Sequence, residues 1–418
     1  MRIVFFTDTY YPQINGVTKS IELFAEQLRK NGHEVHIFCP DGMKKQKYIH
    51  QIPSSQFISY PEYRIGLPNL KIISEVKKIR PDIIHIHSPF SVGVTGMAVA
   101  KILNIPIVAT YHTLLSEYFG YMNSSIFDKS ITDKYTAWFF DRASVIIAPS
   151  IPIKNILRKC KIKKHIEVLP TPINLSIIKK TINNNGKLTV LHVGRLCKEK
   201  RIDIVLRSFE KICKKIDSRL IITSDGPDRK RLEELCKELE IDKNVEFTGF
   251  VSDKDLIKIY SSADVFVSAS DTETQGLVIL EAMACGCPVI VRNALGFKDF
   301  IKNKENGILF EKEDELARDI LLVKEDGKLR EKLIRNGYET VRRFKASNYS
   351  SIIEDLYKKA SGMKKDSKIA WKALYFSYLI FGSLEFLIIK YMRIPVNSRF
   401  LNLHLRFFKE AFFFERLR

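Results

Sequence analysis

A chain of 418 residues with 45% hydrophobic and 28% charged content is too long for one ordinary core and too apolar for default disorder, so two globular domains with an appendage are expected. The net charge of +20 is unevenly spread: +11 in residues 1–180 (24 Lys/Arg against 13 Asp/Glu), +2 in 181–360 (33 against 31) and +7 in 361–418 (11 against 4). Basic ends around a neutral middle point to surfaces that meet something anionic, and without a recognition helix, zinc spacing or aromatic RNA-binding signature, lipid is favoured over nucleic acid.

The chain starts Met1-Arg2-Ile3-Val4-Phe5-Phe6, directly in strand-like sequence, so no signal peptide is expected. Short β-branched runs then alternate with amphipathic stretches, the pattern of parallel βαβ units. Strands are predicted at 2–7, 34–39, 82–87, 106–111 and 144–148, with helices at 17–30, 69–79, 91–103 and 129–141. The polar, turn-rich stretch 171–187 reads as a linker. A second series follows, with strands at 188–194, 219–224, 245–249, 264–269 and 288–292 and helices at 202–215, 228–240, 253–261, 276–285, 313–324 and 327–343. Two doubly wound, Rossmann-like α/β domains, 1–172 and 187–345, are therefore expected to face each other across a cleft, with ligands beyond the carboxyl ends of the strands.

The segment 346–418 is set apart as a helix followed by a basic hydrophobic tail. Within it, 373–389 carries a single charge, Glu385, and is flanked or punctuated by Trp371, Tyr375, Tyr378 and Tyr391. A span of that length is at the lower limit for crossing a bilayer. Three arrangements stay open: packing across both domains, lying in the membrane interface, or spanning it. The seven scattered cysteines do not form a disulfide framework and suggest a reducing cytosol. The pair Cys285 and Cys287 has only apolar neighbours in sequence, so no zinc site is expected.

Four strand-to-helix junctions carry the candidate chemistry. Asp8 to Thr18 contains Asn15-Gly16-Val17, where glycine lets backbone approach a diphosphate at a helix start; a simple tight turn fits it too. Gly194-Arg195 with Lys200 places two cations at the end of a strand, suited to a departing diphosphate. Ser224-Asp225-Gly226-Pro227 suits either ligand contact or plain turn chemistry. The fourth, Ser268 to Pro288, holds Glu273 before a helix and Glu281 inside it, with the amides of Gln275, Gly276 and Leu277 available for phosphate or sugar oxygens.

Together, Glu273-x7-Glu281, Gly194-Arg195-x4-Lys200, Asn15-Gly16-Val17 and Glu281-Ala282-Met283-Ala284-x-Gly286-x-Pro288 resemble the retaining GT-B glycosyltransferases that include bacterial glycolipid synthases, over roughly residues 1–350. Ser270 to Leu277, His87-Ser88-Pro89-Phe90-Ser91-x-Gly93 and Thr110-Tyr111-His112-Thr113 resemble the monoglucosyldiacylglycerol synthase branch, with parts shared by phosphatidylinositol α-mannosyltransferases and sulfoquinovosyldiacylglycerol synthases. Gln275 departs from the commoner Glu-x-Phe-Gly form, and the C-terminal tail is extra.

The resemblance implies a sugar nucleotide such as UDP-glucose as donor, a lipid such as diacylglycerol as acceptor, and no metal or other cofactor. Arg195 and Lys200 would bind the donor diphosphate, Glu281 the ribose, and Glu273 with the 275–277 amides the transferred sugar. Gly16 and Gly226 would lie against the donor, and His112 would meet sugar or acceptor; His85 and His87 read as structural or cleft-lining. Glu273, His112, Arg195 and Lys200 are the candidate catalytic residues. A lipid acceptor gives the basic residues a role: Lys71, Lys77, Lys78 and Arg80 on one helix, and Lys154, Arg158, Lys159, Lys161, Lys163 and Lys164 near another, would hold the first domain to the anionic inner face of a cytoplasmic membrane. The competing readings are a polysaccharide or polyprenyl-linked acceptor, and an inactive sugar-nucleotide-binding membrane protein.

Overall fold

The structure is a computed structural model that describes residues 1–13, 15–42, 46–57, 60–67, 69, 71–115, 129–173 and 186–363. The tail 364–418 and most of the expected linker, 174–185, lie outside the described residues.

Two parallel sheets dominate. The first joins β1 (Arg2–Phe6), β2 (Glu34–Pro40), β3 (Ile49–Ile52), β6 (Ile83–Ile86), β7 (Ile107–Thr110), β8 (Val145–Ala148) and β9 (His165–Val168) in the order β3-β2-β1-β6-β7-β8-β9. β4 (Ser54–Phe57) and β5 (Tyr60–Gly66) form an antiparallel hairpin beside it. The second sheet runs β12-β11-β10-β13-β14-β15, from β10 (Leu188–Val193), β11 (Ser218–Thr223), β12 (Val245–Gly249), β13 (Val265–Ser268), β14 (Val289–Arg292) and β15 (Ile308–Phe310). Both orders reverse beside their first strand, which opens a crevice at the carboxyl ends.

The central strands β6, β8 and β10 are buried at every position. Helices cover both faces, so alternation with polar residues is unnecessary. In the first sheet Val4 and Phe6 face one core, with α2 (Lys71–Ile79), α3 (Ser91–Ile102), α4 (Lys129–Phe140) and α5 (Ile151–Lys159). Ile3 and Phe5 face the other, with α1 (Gly16–Lys30). The second sheet is covered by α6 (Ile202–Cys213), α7 (Arg229–Glu238), α8 (Asp253–Ser262), α9 (Leu277–Ala284), α10 (Glu315–Glu325) and α11 (Gly327–Arg342).

The last described helix, α12 (Ala346–Gly362), returns to the first sheet. Its Ile353, Leu356, Tyr357 and Ala360 share a core with Ile3, Phe5 and Ile21. Where the chain crosses back, Ile173 N–H donates to Phe344 carbonyl at 2.9 Å, so the two inter-sheet connections touch. Among the described residues, no helix is long and apolar enough to cross a membrane.

Candidate active site

The first sheet contributes the start of α1. Asn15 caps it, its Oδ1 accepting from Thr18 N–H at 2.9 Å, which leaves the amides of Gly16 and Val17 without intrahelical acceptors. A Cβ built on Gly16 would lie 3.7 Å from Leu277 Cδ1, so α1 begins against the first residue of α9 from the second sheet. One turn in, Lys19 Nζ meets Glu281 Oε1 at 2.7 Å and Asp253 Oδ1 at 3.7 Å. Tyr260 donates its hydroxyl to Glu281 Oε2 at 3.1 Å.

From the second sheet, the loop after β10 carries Arg195 and ends at Lys200, whose ammonium bonds directly to Glu273 Oε1. Burial works against the Lys200 charge, but the adjacent Glu273 carboxylate outweighs it and holds the lysine pKa above its ordinary value. Lys19 is likewise burdened by burial, and Glu281 raises its pKa. Both lysines therefore stay charged at neutral pH.

The acidic loop is fastened to the first sheet at several points. Thr274 Oγ1 donates to the His112 carbonyl at 3.0 Å, and Ser150 Oγ donates to the Thr274 carbonyl at 2.8 Å. Gln275 makes a paired contact with one residue: its Oε1 accepts from Thr171 N–H at 2.6 Å and its Nε2 donates to the Thr171 carbonyl at 2.8 Å. Gly276 takes a left-handed φ of 80°, and a Cβ there would sit 2.4 Å from Phe297 Cε1, so both backbone and space demand glycine. His112 follows β7, half-buried beside this loop, and burial pushes its pKa down to about 4. It is neutral at physiological pH.

Gly16, His112, Lys200, Glu273, Gln275, Gly276, Leu277 and Glu281 are thus brought to one place between the sheets, with Arg195 on the loop that ends at Lys200. Two of the expected residues also make contacts of their own. The Gln275 side chain is bonded to Thr171, while the contact expected of Gln275 is through its backbone amide. At Gly226 a Cβ would stand 2.3 Å from the Leu196 carbonyl oxygen and 2.7 Å from Leu196 N, so this glycine lets the 224–228 turn press against the Arg195 loop. Asp228 N–H to Leu196 carbonyl (2.9 Å) and Leu196 N–H to Asp225 carbonyl (3.1 Å) complete that contact.

The basic residues sit elsewhere. Lys71, Lys77, Lys78 and Arg80 lie on and just after α2, all of them exposed; around α5, Arg158, Lys159, Lys161 and Lys163 are exposed, and Lys154 and Lys164 half-buried. Arg158 also donates to the carbonyls of Ile162 (2.7 Å) and Lys164 (3.0 Å), so part of its role is to hold that turn. Both helices pack on the same face of the first sheet.

Sequence reasoning missed Lys19, Tyr260, Thr171 and His192. Lys19 had a signal: a cation in the first turn opposes the helix dipole and needs another partner. His192, at the end of β10, is 1% exposed; its Nδ1 donates to the Val267 carbonyl at 3.0 Å, and its Nε2 is buried without a partner among the described residues. Burial holds its pKa down to about 4.

Two Rossmann-like lobes facing each other across a cleft, with helix starts that meet around paired lysines and carboxylates, form a GT-B fold. Comparison with known proteins agrees: residues 175–340 match the family Glycosyl transferases group 1, and residues 14–177 match Glycosyltransferase Family 4. The chain is 34% identical to the alpha-monoglucosyldiacylglycerol synthase of Streptococcus pneumoniae, over 77% of this chain and 78% of that protein. It is 30% identical to the synthase of the same name from Acholeplasma laidlawii, over 85% and 96%. A GDP-mannose-dependent alpha-mannosyltransferase of Mycobacterium tuberculosis is 29% identical over 74% and 83%. Among solved structures, sucrose-phosphate synthase from Thermosynechococcus elongatus superposes with a TM-score of 0.71 at 21% identity, covering 86% of this chain and 98% of that one. Anabaena HepE in complex with UDP-glucose also gives 0.71, at 19% identity and 86% and 99% coverage. The chain belongs to the GT-B glycosyltransferases, and it is an enzyme that transfers a sugar.

Proposed function

We propose that this enzyme transfers glucose from UDP-glucose to the hydroxyl of a membrane diacylglycerol, with retention at the anomeric carbon and without a metal. The observation that carries the proposal is the charged Lys200–Glu273 pair beside the facing starts of α1 and α9, in a chain similar to two glucosyldiacylglycerol synthases.

On this reading the donor diphosphate lies between the helix starts, where amides and the Arg195 and Lys200 cations meet the charge that develops as it leaves. Lys19 releases Glu281 as the ribose takes its place, and Glu273 turns from Lys200 to a sugar hydroxyl. The bond from the anomeric carbon to phosphate breaks while the acceptor oxygen bonds to the same face. The acceptor proton passes to the departing phosphate oxygen. The protein supplies position and charge, and fixed cations serve where other enzymes use a metal. The basic residues of α2 and the α5 region hold the enzyme to anionic lipid at the cytoplasmic face of the membrane, each adding about 1 kcal/mol.

Relatives that use GDP-mannose favour a second donor, GDP-mannose on the same lipid surface. One assay decides: labelled UDP-glucose, UDP-galactose and GDP-mannose are offered on mixed liposomes carrying diacylglycerol or a polyprenyl phosphate, with products identified by mass. Glucosyldiacylglycerol alone is the expected product. Mannosylated product supports the second donor, and transfer only to polyprenyl phosphate overturns the diacylglycerol acceptor.

A further inference from the structure

A file of three histidines runs from the core of the first lobe to the cleft. His85 is tied at both nitrogens, Nδ1 to the Tyr357 hydroxyl and Nε2 to Thr110 Oγ1, each at 2.7 Å. His87 lies against it, ring centroids 4.0 Å apart, and packs on Phe5 at 4.6 Å. His87 Nδ1 then meets His112 Nε2 at 3.1 Å, with the two rings stacked. His87 is 1% exposed, and its Nε2 is buried with no partner among the described residues. Burial drives the pKa of all three down, so each ring carries one proton.

A single proton therefore lies between His87 Nδ1 and His112 Nε2, and its owner fixes both tautomers. If His112 owned it, His87 would keep its own proton on Nε2, a buried N–H with no acceptor. If His87 owns it, only a lone pair of its Nε2 goes unmet, in a site walled by the Phe5 and His85 rings. Orphaned buried N–H groups are the rarer and costlier arrangement. We infer that His87 is a positioning residue that donates through Nδ1 to His112 Nε2 and so fixes His112 as its Nδ1–H tautomer, a hydrogen-bond donor to a substrate oxygen.

The inference rests on the cleft being the transfer site, and it makes His112 unsuited to taking a proton from the acceptor alcohol, since its basic nitrogen is occupied by His87. In that tautomer the His112 Nδ1–H is the group offered to an electronegative oxygen of the bound sugar or phosphate.

The test is two-bond 1H–15N spectroscopy of the full chain labelled at histidine, with His112 assigned by its loss in His112→Asn. The expected result is a proton on His112 Nδ1 in the wild type. In His87→Leu the His112 signals should move to the Nε2–H pattern and kcat fall roughly tenfold, the effect of one lost orienting hydrogen bond. His87→Asn, whose amide N–H₂ stands near the former Nδ1, should restore both. A wild-type His112 protonated on Nε2 overturns the proposal, as does His87→Leu with unchanged spectrum and kcat. The spectrum needs no substrate, so it reads the tautomer even if the donor or acceptor assignment is wrong; if His87→Leu does not fold, the wild-type and His87→Asn spectra still decide.

Discussion

Replacing Gln275 with leucine tests how the acidic loop is anchored. The substitution conserves volume but removes two hydrogen bonds, at 2.6 and 2.8 Å, to the backbone of Thr171. Thr171 is only 5% exposed, so its N–H and carbonyl are left without water to replace them. Two orphaned buried backbone groups cost about 1–3 kcal/mol each, less about 1 kcal/mol regained by the more apolar leucine, for a net loss of about 1–5 kcal/mol. At roughly 2–4 °C per kcal/mol for domains of this size, the midpoint of thermal unfolding should fall about 2–20 °C. Circular dichroism melts of wild type, Gln275→Leu and Gln275→Glu measure it, and the glutamate variant should be worse, since it buries a carboxylate and loses the donor. A shift below about 1 °C in Gln275→Leu would show that Gln275 does not hold Thr171 in solution.

Other expectations follow from neighbouring groups. Lys200→Met removes the cation paired with Glu273 and should lower kcat/KM about 10²–10³-fold, measured as sugar transfer on liposomes; a loss under threefold contradicts a role in leaving-group stabilisation. Gly226→Ala pushes a Cβ into the Leu196 backbone and should displace the Arg195 loop, lowering kcat/KM more than tenfold while secondary structure persists. His192, neutral in the fold with its pKa near 4 but protonated below about 6.5 when unfolded, makes the unfolded chain bind more protons in that window. Stability should therefore fall as pH drops, by about 2 kcal/mol from His192 at pH 5, read as a lower urea midpoint that His192→Phe partly removes. Binding to anionic vesicles should weaken steeply between low and moderate salt; salt-insensitive binding contradicts the electrostatic surface.

Most strands legible in the sequence are those buried on both sides. β1, β2, β6, β7, β8, β10, β11, β13 and β14 read as short apolar runs because helices cover both faces; β12 (VEFTG), an edge strand, is legible although none of its positions is fully buried. The unread strands are edges or short pieces: β3 (IHQI), β4 (SSQF) and β9 (HIEV) carry polar residues that face water, and β15 is three residues long. The cleft motifs were legible because glycines, cations and carboxylates cluster at strand ends. What they touch was not. Gly226 shows why: sequence marks a position that tolerates no side chain, but cannot say whether backbone or ligand fills the space. Gln275 and Lys19 find partners 104 and 262 residues away, a pairing that only the closed arrangement of the two lobes creates.

The central claim is that the cleft grips a nucleoside diphosphate through its cations. Titration calorimetry of UDP and of GDP into the full-length enzyme, Arg195→Ala and Lys200→Met measures this directly. The wild type should bind UDP, and each variant should lose at least about tenfold in affinity, the worth of one charge-assisted hydrogen bond. Variants that bind UDP as tightly as the wild type, or a wild type that binds neither nucleotide, would contradict it.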